Sequence, residues 1–155
     1  SPLPDAGEIA RNAVQLFDTS VDGIPSVDLN RSEQLSLVGE LAAFYDELPF
    51  PEKKTDGVSY FLDNEWFAYG DGIVLYAMLR RFRPRRILEI GSGFSSAVMI
   101  ETSRRFLNES VEMTFIEPSP ERLFGLMSTT DRQRYRVIQQ TLWTDADQPE
   151  RNHQK

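Results

Sequence analysis

Eleven residues constrain this chain more than any others: Arg86-Ile87-Leu88-Glu89-Ile90-Gly91-Ser92-Gly93-Phe94-Ser95-Ser96. They read as a short strand, a glycine turn and the start of a helix. Ile87, Leu88 and Ile90 form a near-continuous apolar run, the pattern of a parallel strand covered on both faces. Gly91 and Gly93 lack a Cβ, so the backbone can turn tightly and approach a ligand closely. Ser95 or Ser96 can cap the following helix, whose first N–H groups have no partner within it. Glu89 stands out, because a carboxylate near a strand's end is costly to bury unpaired. A ligand bearing an ammonium group or hydroxyls would meet that cost.

Two kinds of nucleotide cofactor use such a turn, and a turn with no ligand is the plainer alternative. Dinucleotide folds prefer Gly-x-Gly-x-x-Gly or Ala, with pyrophosphate on the helix N-terminus. Here the sixth position is Ser96, and Glu89 lies where a diphosphate's charge would fall. That favours a cationic ligand and argues against a nicotinamide-dependent oxidoreductase. Glu89-Ile90-Gly91-Ser92-Gly93 resembles the first motif of class I S-adenosylmethionine (SAM)-dependent methyltransferases: an acid, one residue, then Gly-x-Gly.

Composition narrows the choice. The 155 residues are 40% hydrophobic and 26% charged, enough for one globular core. A net charge of -7 suits neither nonspecific nucleic-acid binding nor an anionic lipid surface. There is no cysteine, so disulfides, zinc-thiolate sites and thiol nucleophiles are excluded. No apolar run is long enough to span a bilayer. No nucleic-acid or membrane partner is expected, and the expected location is cytoplasmic.

The remaining pattern is helical before the glycine turn and alternating after it. Residues 1–18 suggest a short helix with Asp5 as cap, and 19–30 a connector punctuated by Gly23 and Pro25. A helix from Asn30 or Ser32 carries apolar residues, Leu35, Val38, Leu41, Phe44 and Leu48 among them, over half its circumference, which implies packing on a core. Pro49 and Pro51 end it. Tyr60, Phe61, Trp66, Phe67 and Tyr69 surround Asn64; they suit either an aromatic seal on the core or a pocket wall with Asn64 and Asp71 as polar anchors. Asp71 also suits the N-cap of a helix over Gly72–Phe82. The arginines at 80, 81, 83, 85 and 86 read as the solvated end of that helix. A helix over Ser95–Leu107, stopped at Asn108, leads to a strand over Val111–Ile116. Ser119-Pro120 then starts another helix, and Tyr135–Gln139 is a third strand. This order predicts an α/β, Rossmann-like parallel sheet of three strands with an N-terminal helical extension.

Glu117 ends the second strand. An acid there can accept hydrogen bonds from both hydroxyls of a ribose, as in dinucleotide folds at comparable spacing. Three stretches are together similar to a bacterial branch of the methyltransferases: Tyr69-Gly70-Asp71-Gly72-Ile73-Val74-Leu75-Tyr76, Glu89 to Ser96, and Phe115-Ile116-Glu117-Pro118-Ser119-Pro120-Glu121-Arg122-Leu123. The likeness runs from about Ile24 to Leu142. It implies that Glu89, Gly91, Ser92 and Gly93 line the methionine and ribose part of SAM, with Ser95 and Ser96 beside them. By the same likeness Glu117 binds the ribose hydroxyls and Pro118 flanks the adenine. The family's Gln-Asp after the third strand stands here as Trp143-Thr144, with Asp145 one position late.

The expected organisation is a helical cap over 1–57, the first half of a SAM-binding domain over 58–142, and a polar tail over 143–155 that cuts the domain short. Such a fragment is expected to be inactive by itself, its parent methylating a small molecule or a glycan. The alternative is a noncatalytic module that self-associates through an open sheet edge. Asp145-Ala146-Asp147 resembles a glycosyltransferase metal motif, but a solvated acidic tail is the simpler reading. His153, the sole histidine, supports no Ser-His-Asp set.

Overall fold

The computed structural model describes residues 5–17 and 26–142. Gly23, Pro25, Trp143, Thr144, the Asp145–Asp147 acids and His153 lie outside the described residues. The chain divides into two compact units, Ser1–Leu37 and Val38–Lys155.

In the first unit, α1 (Ala6–Arg11) is capped by Asp5, whose carboxylate accepts the Gly7 N–H at 2.9 Å. Asn12 interrupts the expected single helix, and α2 covers only Ala13–Leu16. Helix α3 (Arg31–Ala42) runs across the boundary between units and buries no residue. Its expected broad packing face is therefore absent: Leu35 and Val38 are exposed. The apolar residues are spread around this helix instead of gathered on one side. Leu41, then Phe44 and Leu48 beyond the helix end, pack on the core.

The second unit is built around a sheet and one central helix. After a 3-10 turn at Tyr45–Glu47 comes an aromatic segment in which Tyr60, Leu62 and Asn64 are buried. Helix α4 (Tyr69–Phe82) follows, ending at Arg83 in the left-handed region. Strand β1 (Arg86–Ile90), helix α5 (Phe94–Phe106), strand β2 (Glu112–Ile116), helices α6 (Glu121–Leu126) and α7 (Thr129–Arg134), and strand β3 (Arg136–Ile138) complete it. All pairings are parallel, in the order β1-β2-β3, with Glu89 opposite Phe115 and Phe115 opposite Val137. This is an open α/β, Rossmann-like sheet, as the alternating sequence pattern predicts.

Helix α5 is buried without a break from Ser96 to Ser103. A helix enclosed on all sides needs two packing partners. On one side Met99 and Ile100 meet Met113 and Phe115 of β2. On the other, Ala97 and Val98 meet Tyr60, Tyr76 and Phe50. The aromatic rings of that layer meet edge to face, Phe50 with Tyr60 at 4.8 Å and Tyr76 with Phe106 at 5.6 Å between centroids. Gly72 is required here, since a Cβ would overlap the ring and hydroxyl of Tyr60.

Among the described residues only one face of the sheet is covered, which corrects the expectation for β1. Ile87 is partly buried toward the helices, whereas Leu88 and Ile90 are 63% and 56% exposed. Hydrophobic sequence records which side chains a strand prefers to bury, not whether a covering layer is at hand. The arginine cluster is also less solvated than its composition suggests. Arg80 is mostly buried, bonds Glu47 at 2.9 Å and lies 4.0 Å from the Phe106 ring centroid.

Candidate functional site

The glycine turn sits at the carboxyl end of β1, beside the carboxyl end of β2. Gly91 adopts φ +78°, a conformation costly to any residue with a Cβ. Its N–H donates to the Ile116 carbonyl at 2.9 Å, which ties the turn to β2. A Cβ at Gly91 would meet no atom within 4 Å, so the space in front of the turn is open. Gly93 is different: its φ of 176° is accessible to any residue, and the Arg122 side chain lies 3.4 Å from where its Cβ would be.

Both expected acids converge on this turn. Glu117 accepts the Ser92 N–H at 2.9 Å through one oxygen and the Ser119 N–H at 2.9 Å through the other. These backbone donors, Ser119 first and Ser92 second, hold its carboxyl below the ordinary range. Glu89 accepts the Ser95 hydroxyl at 2.6 Å and the Ser96 hydroxyl through its second oxygen. Burial pushes the Glu89 carboxyl up, and the serine hydroxyls offset only part of that; the charge of Glu117 adds to the rise. The two carboxylates are therefore near enough to repel each other.

The capping roles differ in detail from the sequence expectation. Helix α5 begins one residue earlier than expected, and Ser96 Oγ accepts the Gly93 N–H at 3.0 Å. Ser95 and Ser96 spend their own hydroxyl protons on Glu89. The protein thus already satisfies the carboxylate whose burial argued for a ligand. A second polar atom is left over: Ser92 Oγ is buried with no hydrogen-bond partner among the described residues.

Asp71 lies exposed inside the first turn of α4, where Ala68 holds the N-cap position, so the expected Asp71 cap is not made. Its N–H donates to Ala68 O at 2.9 Å, and its charge acts on Tyr60, whose hydroxyl burial pushes up to about 12. Pro118 is exposed next to Glu117. The expected Ser119 cap is displaced as well: α6 starts at Glu121 with Pro120 at its N-cap position, and the Ser119 N–H serves Glu117 instead.

Two features went unread in the sequence. Asn64 organises its own loop rather than anchoring a ligand. Its Nδ2 donates to the Phe61 and Phe67 carbonyls at 2.8 and 2.9 Å, and its Oδ1 accepts the Trp66 and Phe67 N–H groups at 3.0 and 2.7 Å. That fixed loop presents Trp66, 62% exposed, to Arg122, whose guanidinium carbon lies 3.8 Å from the ring centroid. Only the aromatic density around Asn64 hinted at this. Among the described residues no group of three or more His, Cys, Asp or Glu could hold a metal ion. No helix among them is long and apolar enough to cross a membrane.

No known protein family's profile matches the chain. It is 32% identical over 123 residues to an uncharacterized protein from Archaeoglobus fulgidus, an alignment covering 77% of this chain and 56% of that protein. Among solved structures it is similar to the SAH-bound Podospora anserina methyltransferase PaMTH1, with a TM-score of 0.36 and 22% identity over 89% of this chain and 51% of that one. The chain thus spans about half the length of the proteins it matches.

Proposed function

We propose that the glycine turn binds S-adenosylmethionine and that this chain is the cofactor-binding part of a methyltransferase acting on a small molecule or a glycan. The observation that carries the reading is the pair of acids on neighbouring strand ends, Glu117 bonded to the glycine turn at Ser92 and Glu89 to Ser95 and Ser96 at the helix start that follows it. Glu117 keeps lone pairs beyond those taken by Ser92 and Ser119, and two adjacent ribose hydroxyls can donate to them. Negative charge from both acids favours a nucleoside that carries a sulfonium and an ammonium. The open space before Gly91 admits it. Ser95 and Ser96 then act by orienting Glu89, and Pro118 borders the base.

Bound there, the sulfonium supplies an already activated methyl group, so the protein's part is to hold donor and acceptor in line. No residue here is assigned as a base. Titration calorimetry with SAM and with its demethylated product, S-adenosylhomocysteine, tests the reading. Saturable binding of both is expected, weakened about tenfold or more in Glu117→Ala. A folded chain that gives no heat with either overturns it.

A second reading has its own observation. Among the described residues the sheet face carrying Leu88 and Ile90 is exposed and β1 has no partner on its outer edge, so a second copy of the chain can pair there. On this reading the domain is a noncatalytic association module, and its acids serve only to shape the turn.

A further inference from the structure

The Arg122 side chain is held on two sides and bonded on none. Its stem passes Gly93, at 3.4 Å from that residue's Cβ position, and its guanidinium lies over Trp66 at 3.8 Å from the ring centroid. The Trp66 backbone N–H is bonded to the buried Asn64, and the indole and Arg122 are both exposed. Glu117 is near enough for the arginine's charge to act on it, yet the two form no ion pair. No hydrogen-bond acceptor meets the guanidinium among the described residues. A guanidinium over an indole keeps N–H groups free to donate outward. Such a fork matches the two oxygens of a carboxylate.

We propose that Arg122, lying over Trp66, is a carboxylate-binding residue at the rim of the glycine turn. The site then has two acids for the cationic part of its ligand and one cation for an acidic part. The proposal rests on the SAM reading and adds to it a residue and a polarity: the carboxylate end lies on the Trp66 side of the turn. The carboxylate has two sources, the amino-acid end of the cofactor or an acid on the methyl acceptor. Both offer the same fork-to-fork contact, and the charge pattern beside Glu117 favours the cofactor.

Calorimetry on the full chain separates these with three probes. S-adenosylhomocysteine carries the carboxylate, 5′-methylthioadenosine lacks it, and glucuronate, added to the chain saturated with S-adenosylhomocysteine, stands in for an acidic acceptor. Arg122→Ala is expected to weaken S-adenosylhomocysteine roughly tenfold or more and to leave 5′-methylthioadenosine within about twofold. Arg122→Lys should restore only part of the loss, because an ammonium cannot offer the planar fork. Trp66→Leu should show the same selectivity with a smaller loss. A loss confined to glucuronate keeps the carboxylate receptor and moves the acid to the acceptor. Equal losses for both nucleosides, or no loss with any probe in a variant whose amide spectrum stays native, overturn the proposal while wild-type nucleoside binding stands. If the wild type binds neither nucleoside, the SAM reading fails and this one falls with it.

Discussion

Glu89 and Glu117 share a turn but are pushed in opposite directions by it. Glu117 is drawn below its ordinary value of 4.5 by backbone N–H groups that favour the charged form. Its contribution to stability is therefore full above that value and is lost as pH falls through the folded-state value. Glu117→Gln should cost about 1 kcal/mol at pH 7, and the gap should narrow at pH 3, as the wild-type carboxyl begins to take up a proton. Urea unfolding at the two pH values checks this. Glu89 is raised by burial, so the sign reverses: its neutral form suits the fold, and stability drains as pH rises through its folded-state value. Relative to Glu89→Gln, the wild type should lose ground between pH 4 and pH 7 in the same experiment. The convergence of these acids was legible from their positions at two strand ends. The serines that satisfy Glu89 were read as caps, because a hydroxyl near a helix start has two uses and spacing does not choose between them.

At the scale of elements, the strand-turn-helix unit and the strand that follows it were readable because apolar periodicity and glycine placement agreed. The order of β1, β2 and β3 followed from alternation with helices. Boundaries shifted where a proline or serine could serve neighbouring positions, as at α5 and α6. Helix α7 was missed, although Ser128 and Asp131 form a reciprocal capping pair, Ser128 Oγ accepting the Asp131 N–H at 3.1 Å and Asp131 accepting the Ser128 N–H at 2.9 Å. Tertiary pairing decides the fate of this short element. Asp131 is buried and bonds Arg104 of α5 at 2.6 Å, and Arg104 also bonds the buried Glu101 at 2.5 Å. Burial alone would raise Asp131, but Ser128 and Arg104 hold it below the carboxylate range. Asp131→Ala removes the α7 cap and one partner of Arg104, which Glu101 still pairs, so it should cost about 2 kcal/mol in urea unfolding. A cost under about 1 kcal/mol would show that α7 frays without consequence.

Across the described residues of the second unit, the sheet has one dressed face. Helices α4, α5 and α6 and the aromatic layer lie on one side, while Leu88 and Ile90 remain exposed on the other. An apolar row beside a strand edge with no partner among the described residues invites pairing with a second copy. Sedimentation velocity should show mass rising with concentration, and Leu88→Lys should return the chain to monomer across the same range. A chain that stays monomeric would remove the association reading and leave the turn as the sole functional feature. That turn is tested most directly by following backbone amide resonances during titration with S-adenosylhomocysteine. The expected result is saturable shifts centred on Gly91 to Ser96 and on Glu117 to Ser119, reached only at about tenfold or more higher ligand in Glu117→Ala. Shifts confined to the outer sheet face, or none at millimolar ligand, would contradict a nucleoside site between the two acids.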